Sequence, residues 1–337
     1  MKTTLLSTLF FLLALPFVTK AQVSEGGIPV SYGMSFKKAL IPVIQMPAVN
    51  KDSLLTEDAQ NTEKLKPFRF GFNFFRSINL KQQAYSIKTN NGTLYLLGIH
   101  CPGAVTINLA FSRYYVPPGA GLFLYNKDKS EKIGALTWRN VQEDRMLGCD
   151  LLPGEITWIE YFEPANADFE GEITIGRITH GYRSLVRFLE KSFGQAGSCN
   201  VNINCPVAAP FADQKRGVAC IIEGGNEVCT GSLVNNTAQD NKLYFLTANH
   251  CLSGATASTW NTSTWVYRFN WEAPACTNPA SSPSTAQSIS GSNLRAQSAG
   301  SDFGLLELFG TAPVAYNLYF NGWDRNNTPA DSAFCIH

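Results

Sequence analysis

The chain has 337 residues, 45% hydrophobic and only 16% charged, a balance that supports packed cores and excludes wholesale disorder. Its 27 Lys and Arg against 26 Asp and Glu leave a formal net charge of +1 with no block of like charge. That excludes the basic stripe with which nucleic-acid binders displace counterions from phosphates. A low charge fraction beside abundant Gly, Ser, Thr, Asn and aromatic residues points to an exported β protein rather than a helical cytosolic enzyme.

The chain starts with Met1-Lys2, an apolar run from Leu5 to Val18, and Thr19-Lys20-Ala21, which sets small residues three and one positions before Gln22. This pattern predicts a secretory signal over residues 1–21 and a secreted protein, extracellular or periplasmic. The run of about 14 apolar residues is shorter than the roughly 20 that span a bilayer, so no membrane association is expected once the signal is removed. Residues 22–66 read as a weakly periodic leader or linker, polar and partly extended from Asn50 to Lys66.

Residues 67–193 form a β-rich region. Between Phe68 and Tyr182 strand-like segments recur at Thr93–Ile99, Val105–Leu109, Leu122–Tyr125 and Ile156–Tyr161. Asn91-Gly92, Pro117-Pro118-Gly119 and Pro153-Gly154 punctuate them as turns. Short strands at this spacing predict a β-sandwich. Ser184–Lys191 has the apolar spacing of a short helix with Ser184 as its cap. Beyond Ser198 come further strand-like segments at Val218–Ile222, Gly231–Val234, Leu243–Thr247, Trp265–Trp271 and Phe303–Leu308, whereas residues 277–301, rich in Ser, Ala, Thr and Gly, read as exposed loops.

Nine cysteines, at 101, 149, 199, 205, 220, 229, 251, 276 and 335, read as disulfide-forming thiols in an exported chain, with one left over. No Cys-x-x-Cys pair occurs, which argues against a zinc ribbon. Cys101 and Cys149 share the β-rich region and are candidates to staple it. Of four histidines, His100 lies at a strand end, His180 precedes Gly181 in a turn, and neither has an acid at ligand spacing; both read as structural. His337 is the last residue. His250 closes the apolar segment Leu243–Thr247 followed by Ala248-Asn249-His250-Cys251. A strand running into a rim loop would present its imidazole at a barrel edge; spacing alone leaves that reading open beside a surface histidine next to a disulfide.

Thr247-Ala248-Asn249-His250-Cys251 resembles the general-base segment of chymotrypsin-fold serine proteases. Cys229-Thr230-Gly231-Ser232-Leu233 resembles an upstream strand of that fold, and Ser301-Asp302-Phe303-Gly304-Leu305-Leu306 resembles the strand that supplies the triad aspartate. The similarity is closer to the bacterial lysyl endopeptidases, through Gly197-Ser198-Cys199, Val234-Asn235-Asn236-Thr237, Ser301-Asp302-Phe303 and Phe320-Asn321-Gly322-Trp323-Asp324-Arg325. The resemblance runs from about Gly194 to His337.

The resemblance implies an all-β protein: a sandwich-like pro-region, then the first barrel of a trypsin-like double β-barrel in residues 194–337, with the second barrel largely missing. His250 would take the proton of an attacking serine hydroxyl and Asp302 would hold the imidazole. It also implies disulfides Cys229–Cys251 and Cys205–Cys276 and a Cys199 whose partner lies in the absent half, with Cys101–Cys149 serving the pro-region; Cys220 and Cys335 depart from the family pattern, and a mutual bridge between them is an additional expectation. The family's Gly-Asp/Ser-Ser-Gly nucleophile segment does not occur here, so the chain is expected to be truncated before its serine and inactive as written. The expected function is secreted peptide-bond hydrolysis after Lys, acting on protein or peptide substrates, with no metal or organic cofactor. The pro-region is expected to pack on the protease domain and to be removed by a cut after Lys191, with later trimming to Gly194. The alternative is a secreted, non-catalytic binding protein built from the same sandwich and protease-like halves.

Overall fold

Alternating apolar residues give this chain strands, and the computed structural model shows two β units. It describes residues 24–35, 37–60, 67–183, 201–252, 262–277, 287–326, 328, 331 and 333–337. The signal at 1–21, the helix at Ser184–Lys191, the mature start at Gly194 and Cys199 fall outside the described residues. Among the described residues, no helix is long and apolar enough to cross a membrane.

The N-terminal unit contains β1 (Val43–Gln45), α1 (Lys51–Gln60), β2 (Phe68–Arg69), β3 (Gly71–Asn79), β4 (Tyr85–Thr89), β5 (Gly92–His100), β6 (Thr106–Tyr115), β7 (Gly121–Asn126), β8 (Lys132–Leu136), β9 (Leu147–Gly148), β10 (Leu152–Pro153), β11 (Ile156–Pro164) and β12 (Glu172–Gly181). One sheet has the order β1-β5-β11-β7-β8 with β4 also on β5; the other runs β10-β6-β12-β3 with β9 on β6. Leu97, Ile99, Leu122, Leu124 and Ile159 of the first sheet bury against Ile107, Leu109, Phe111, Ile173, Ile175 and Ile178 of the second. Each such side chain contributes roughly 1.5–3 kcal/mol of burial. This is the sandwich expected from the strand spacing.

Three expectations change in this region. The stretch after Asn50 is helix α1, capped by the Asn50 side chain, whose Oδ1 accepts from Ser53 N–H at 3.0 Å. None of its residues is buried, so it carries no apolar stripe for periodicity to detect. His180 lies in β12, which continues through Gly181 opposite Thr106 and Gly71, so there is no turn. Cys101 and Cys149 are free buried thiols in the sandwich core, where they fill volume as small apolar groups.

The C-terminal unit comprises β13 (Val218–Glu223), β14 (Glu227–Leu233), β15 (Tyr244–Thr247), β16 (Val266–Phe269), β17 (Ser288–Ser290), β18 (Ser292–Ser298) and β19 (Phe303–Leu308). Strands β17 and β18 lie where exposed loops were expected; five consecutive residues of β18 face solvent, so it shows no alternation. The ladder order is β17-β16-β13-β14-β15-β19-β18. Since β17 and β18 are joined through Gly291, the sheet curls back on itself as a barrel. The corner at Gly291 has φ +85°, and a Cβ there would come within 2.5 Å of Phe309 Cδ2 and 2.8 Å of Ser263 O. Ile221, Leu233, Phe245, Trp265, Tyr267, Phe269, Ile289 and Leu306 fill its interior. The chain is therefore all-β, with a sandwich followed by a trypsin-like barrel.

The units meet on the outer wall of β13, β14 and β16. Phe68, Phe70 and Leu151 pack against Ile222, Val228, Val266 and Cys220. Asp150, 6% exposed, accepts from the guanidinium of Arg268, 4% exposed, with Nε at 2.9 Å and Nη2 closer still. Phe70 N–H donates to Asn226 O at 2.7 Å, and Asn73 Nδ2 donates to Gly224 O at 3.1 Å, gripping the β13–β14 turn. Strand β2 pairs with β14 and joins the barrel sheet.

Candidate active site

Register brings His250 and Asp302 together. β15 and β19 are antiparallel neighbours with Thr247 opposite Gly304, so the residues just after β15 and just before β19 share one barrel end. Ala248 and Asn249 lead into a single 3-10 turn, His250–Leu252, closed by Leu252 N–H to Asn249 O at 2.9 Å. That turn lies on residue 304: a Cβ there would sit 2.3 Å from Leu252 Cδ1, so a larger residue would require the Leu252 side chain to shift. The Thr247 hydroxyl donates to Thr230 O at 2.9 Å, tying the end of β15 to β14. Cys229 and Cys251 are joined, as are Cys205 and Cys276, matching the two bridges implied by the resemblance. The guessed Cys220–Cys335 bridge is not formed; both thiols are free.

His250 Nδ1 lies 2.8 Å from Asp302 Oδ2, and the His250 backbone N–H donates to Asp302 Oδ1 at 2.9 Å. Asp302 adopts φ +49°, in the left-handed region. Its carboxyl is held below the usual carboxylate range, first by the His250 ring and then by the His250 backbone N–H. A carboxylate on Nδ1 selects the tautomer that carries its proton there and leaves Nε2 with a lone pair. The imidazole is 30% exposed. This arrangement suits acceptance of a proton at Nε2 with the resulting imidazolium stabilised by Asp302.

A ring nitrogen of His250 and the sulfurs of Cys229 and Cys251 lie within 4.8 Å of one another, but the two sulfurs are bonded together and offer no thiolate to a metal. His100 is occupied structurally, with Nδ1 2.7 Å from Gln45 Oε1. His180 is buried, and burial lowers its pKa. Thr247 and Gly304 stand inside the quoted motifs without a positioning role of their own; for Gly304 the signal was its place two residues beyond Asp302, because a β strand seldom carries a glycine without a close neighbour.

An antiparallel barrel whose β15 and β19 ends carry histidine and aspartate belongs to the trypsin-like class. Comparison with known proteins narrows this. Residues 193–337 match the family described as lysyl endopeptidase, C-terminal domain. A curated relative, the lysyl endopeptidase of Pseudomonas aeruginosa, is 24% identical over 310 residues, covering 88% of this chain and 58% of that protein. The chain thus spans somewhat over half the length of that relative. It is similar to lysyl endopeptidases over its C-terminal unit and, at 24% identity, over most of its length.

Proposed function

We propose that this chain carries the general-base half of a secreted serine endopeptidase that cleaves after Lys, preceded by a pro-region. His250 is the general base and Asp302 its orienting partner. The observation that carries the reading is the double contact of Asp302, with one oxygen on the ring and the other on the backbone N–H of the same histidine. In the reaction Nε2 takes the proton from a serine hydroxyl as its oxygen attacks the peptide carbonyl. The imidazolium then gives that proton to the departing amine. We assign the serine, the oxyanion-binding amides and the pocket for Lys to the part of the relative that the aligned region does not cover. The sandwich of residues 68–182 is the body of the pro-region, and the signal at 1–21 directs export.

The test is hydrolysis of a Lys-anilide substrate by the 337-residue chain joined to the remaining portion of the relative. Activity that falls at least ~10³-fold in both His250→Ala and Asp302→Ala, with unchanged folding, supports the assignment. Undiminished activity in either variant removes it.

A further inference from the structure

At the end of the sandwich where β5 begins and β11 finishes, a cavity of about 390 Å³ opens, with Lys81, Thr93, Tyr95, Glu163, Ala167 and Phe169 in its walls. That volume lies within the range of small-ligand sites. Register puts Thr93 opposite Glu163 and Tyr95 opposite Tyr161, so these side chains share the face of Leu97 and Ile159 and continue the core outward. Tyr95 and Tyr161 stack with ring centroids 5.9 Å apart. Lys81, from the short helix α2 (Leu80–Gln83), lies 5.8 Å from the centre of the Tyr95 ring. Phe169 stacks on Tyr115 at 4.5 Å, and the Arg145 guanidinium lies 4.0 Å from the centre of that tyrosine ring. The Phe169 wall is thus held from behind.

The polar centre of the cavity is fixed. Glu163, with its side chain 12% exposed, accepts at Oε2 from the Tyr161 hydroxyl and from Gly171 N–H, and at Oε1 from Lys81 Nζ, each at 2.7 Å. A Cβ at 171 would overlap the Tyr161 hydroxyl, so glycine lets the main chain reach the carboxylate. An apolar plug would close this end of the core without the desolvation cost of an ion pair. Oε1 keeps a lone pair and Lys81 keeps N–H groups, since Glu170 Oε2 stands 3.8 Å from Nζ. Lys81, Glu163 and Glu170 sum to one negative charge, which disfavours phosphates, sulfates and carboxylates. A cationic ligand would find Glu163 already engaged by Lys81. What remains is a neutral ligand that donates and accepts at adjacent positions and has an apolar face. We propose that this cavity binds a saccharide unit. Neighbouring hydroxyls of one neutral pyranose donate to Glu163 Oε1 and accept from Lys81 Nζ, while the C–H face of the ring packs on Phe169. The site lies wholly on the sandwich and does not depend on the peptidase reading.

The probes are the methyl glycosides of glucose, galactose, mannose and N-acetylglucosamine, each titrated into the full chain. Saturation-transfer NMR reads binding, and the shift of the Gly171 amide reports occupancy of the cavity. At least one glycoside is expected to bind with a Kd below about 10 mM and to move that amide. Phe169→Ala removes the apolar wall and should weaken this binding at least about tenfold. Ala167→Trp fills the cavity while leaving every polar group in place, and should weaken it likewise. Glucose 6-sulfate and lysine amide should bind less tightly than the neutral glycoside. A disaccharide that binds more tightly than its methyl glycoside supports the proposal with a glycan chain as the source; equal affinity supports it with a single sugar. Failure of all four glycosides to bind, or binding that leaves the Gly171 amide unmoved, overturns the proposal. So does unchanged affinity in a folded Phe169→Ala or Ala167→Trp chain, or tightest binding by the sulfate or the amide.

Discussion

Removing the Asp150 carboxylate should damage the junction of the two units more than any other single change on that surface. Asp150→Ala leaves Arg268, 4% exposed on β16, with its charge uncompensated and only the Trp271 ring, 5.3 Å from the guanidinium, to soften the loss. Breaking a buried pair from one side costs about 3–5 kcal/mol, because desolvation of the surviving ion is no longer offset. A domain's whole stability is about 5–15 kcal/mol, so the urea midpoint should fall by a large fraction of its value. Removing both charges is different: Asp150→Leu with Arg268→Met exchanges two desolvated ions for apolar volume beside Leu151 and Val266, and should end within about 1–2 kcal/mol of the parent chain. A double-mutant cycle followed by tryptophan fluorescence in urea measures the coupling directly. Additive losses, or a cost below about 1 kcal/mol for Asp150→Ala, would refute the idea that this pair locks sandwich to barrel.

Glu223, buried at the β13–β14 turn with Oε1 unpartnered, has its pKa raised well above the ordinary value, first by burial and then by Glu227. An acid raised in the folded state favours folding below its unfolded value, about 4.3, and loses that contribution as pH rises through the folded value. Glu223→Gln should therefore raise the melting temperature more at pH 8 than at pH 5; an equal shift at both would contradict the assignment. Replacing Cys229 and Cys251 together by Ala opens a link between residues 22 apart, worth roughly 3 kcal/mol, and should loosen the turn holding His250; non-reducing peptide mapping of the parent chain should recover this pair and Cys205–Cys276. Burial pushes the Cys101 thiol up to about 12, so Cys101 should resist iodoacetamide at pH 8 until the sandwich unfolds, whereas exposed Cys335 should be alkylated in the native protein. N-terminal sequencing of the exported mature form should find a cut after Lys191; a mature form retaining residues 68–182 would favour a permanent binding module.

Sequence revealed most where burial is one-sided. β19 alternates buried and partly exposed residues along its length, and its limits match the expected Phe303–Leu308. The meeting of His250 with Asp302 was legible through the family resemblance of the two motifs, which implied that the aspartate holds the imidazole. Features without a buried stripe were not. Helix α1 is exposed all round, and β18 is held by its ladder with β19 rather than by an apolar face. The pairing of Phe68 with Val228 joins residues 160 positions apart through main-chain bonds, which leave no trace in local composition. Two of the cysteine pairings failed for a related reason: a buried thiol and a half-cystine look alike in sequence, and only the fold decides which a residue becomes.

The separation between His250 and Asp302 also bears on the order of folding. The two residues are 52 apart, and β16, β17 and β18 lie in the chain between them. Closing such a loop carries an entropic cost that only the β15–β19 ladder and the filled barrel interior repay. No nascent or half-closed barrel holds the pair, since the aspartate arrives only with the last strand. Proton-accepting geometry is thus withheld until β19 has closed onto β15.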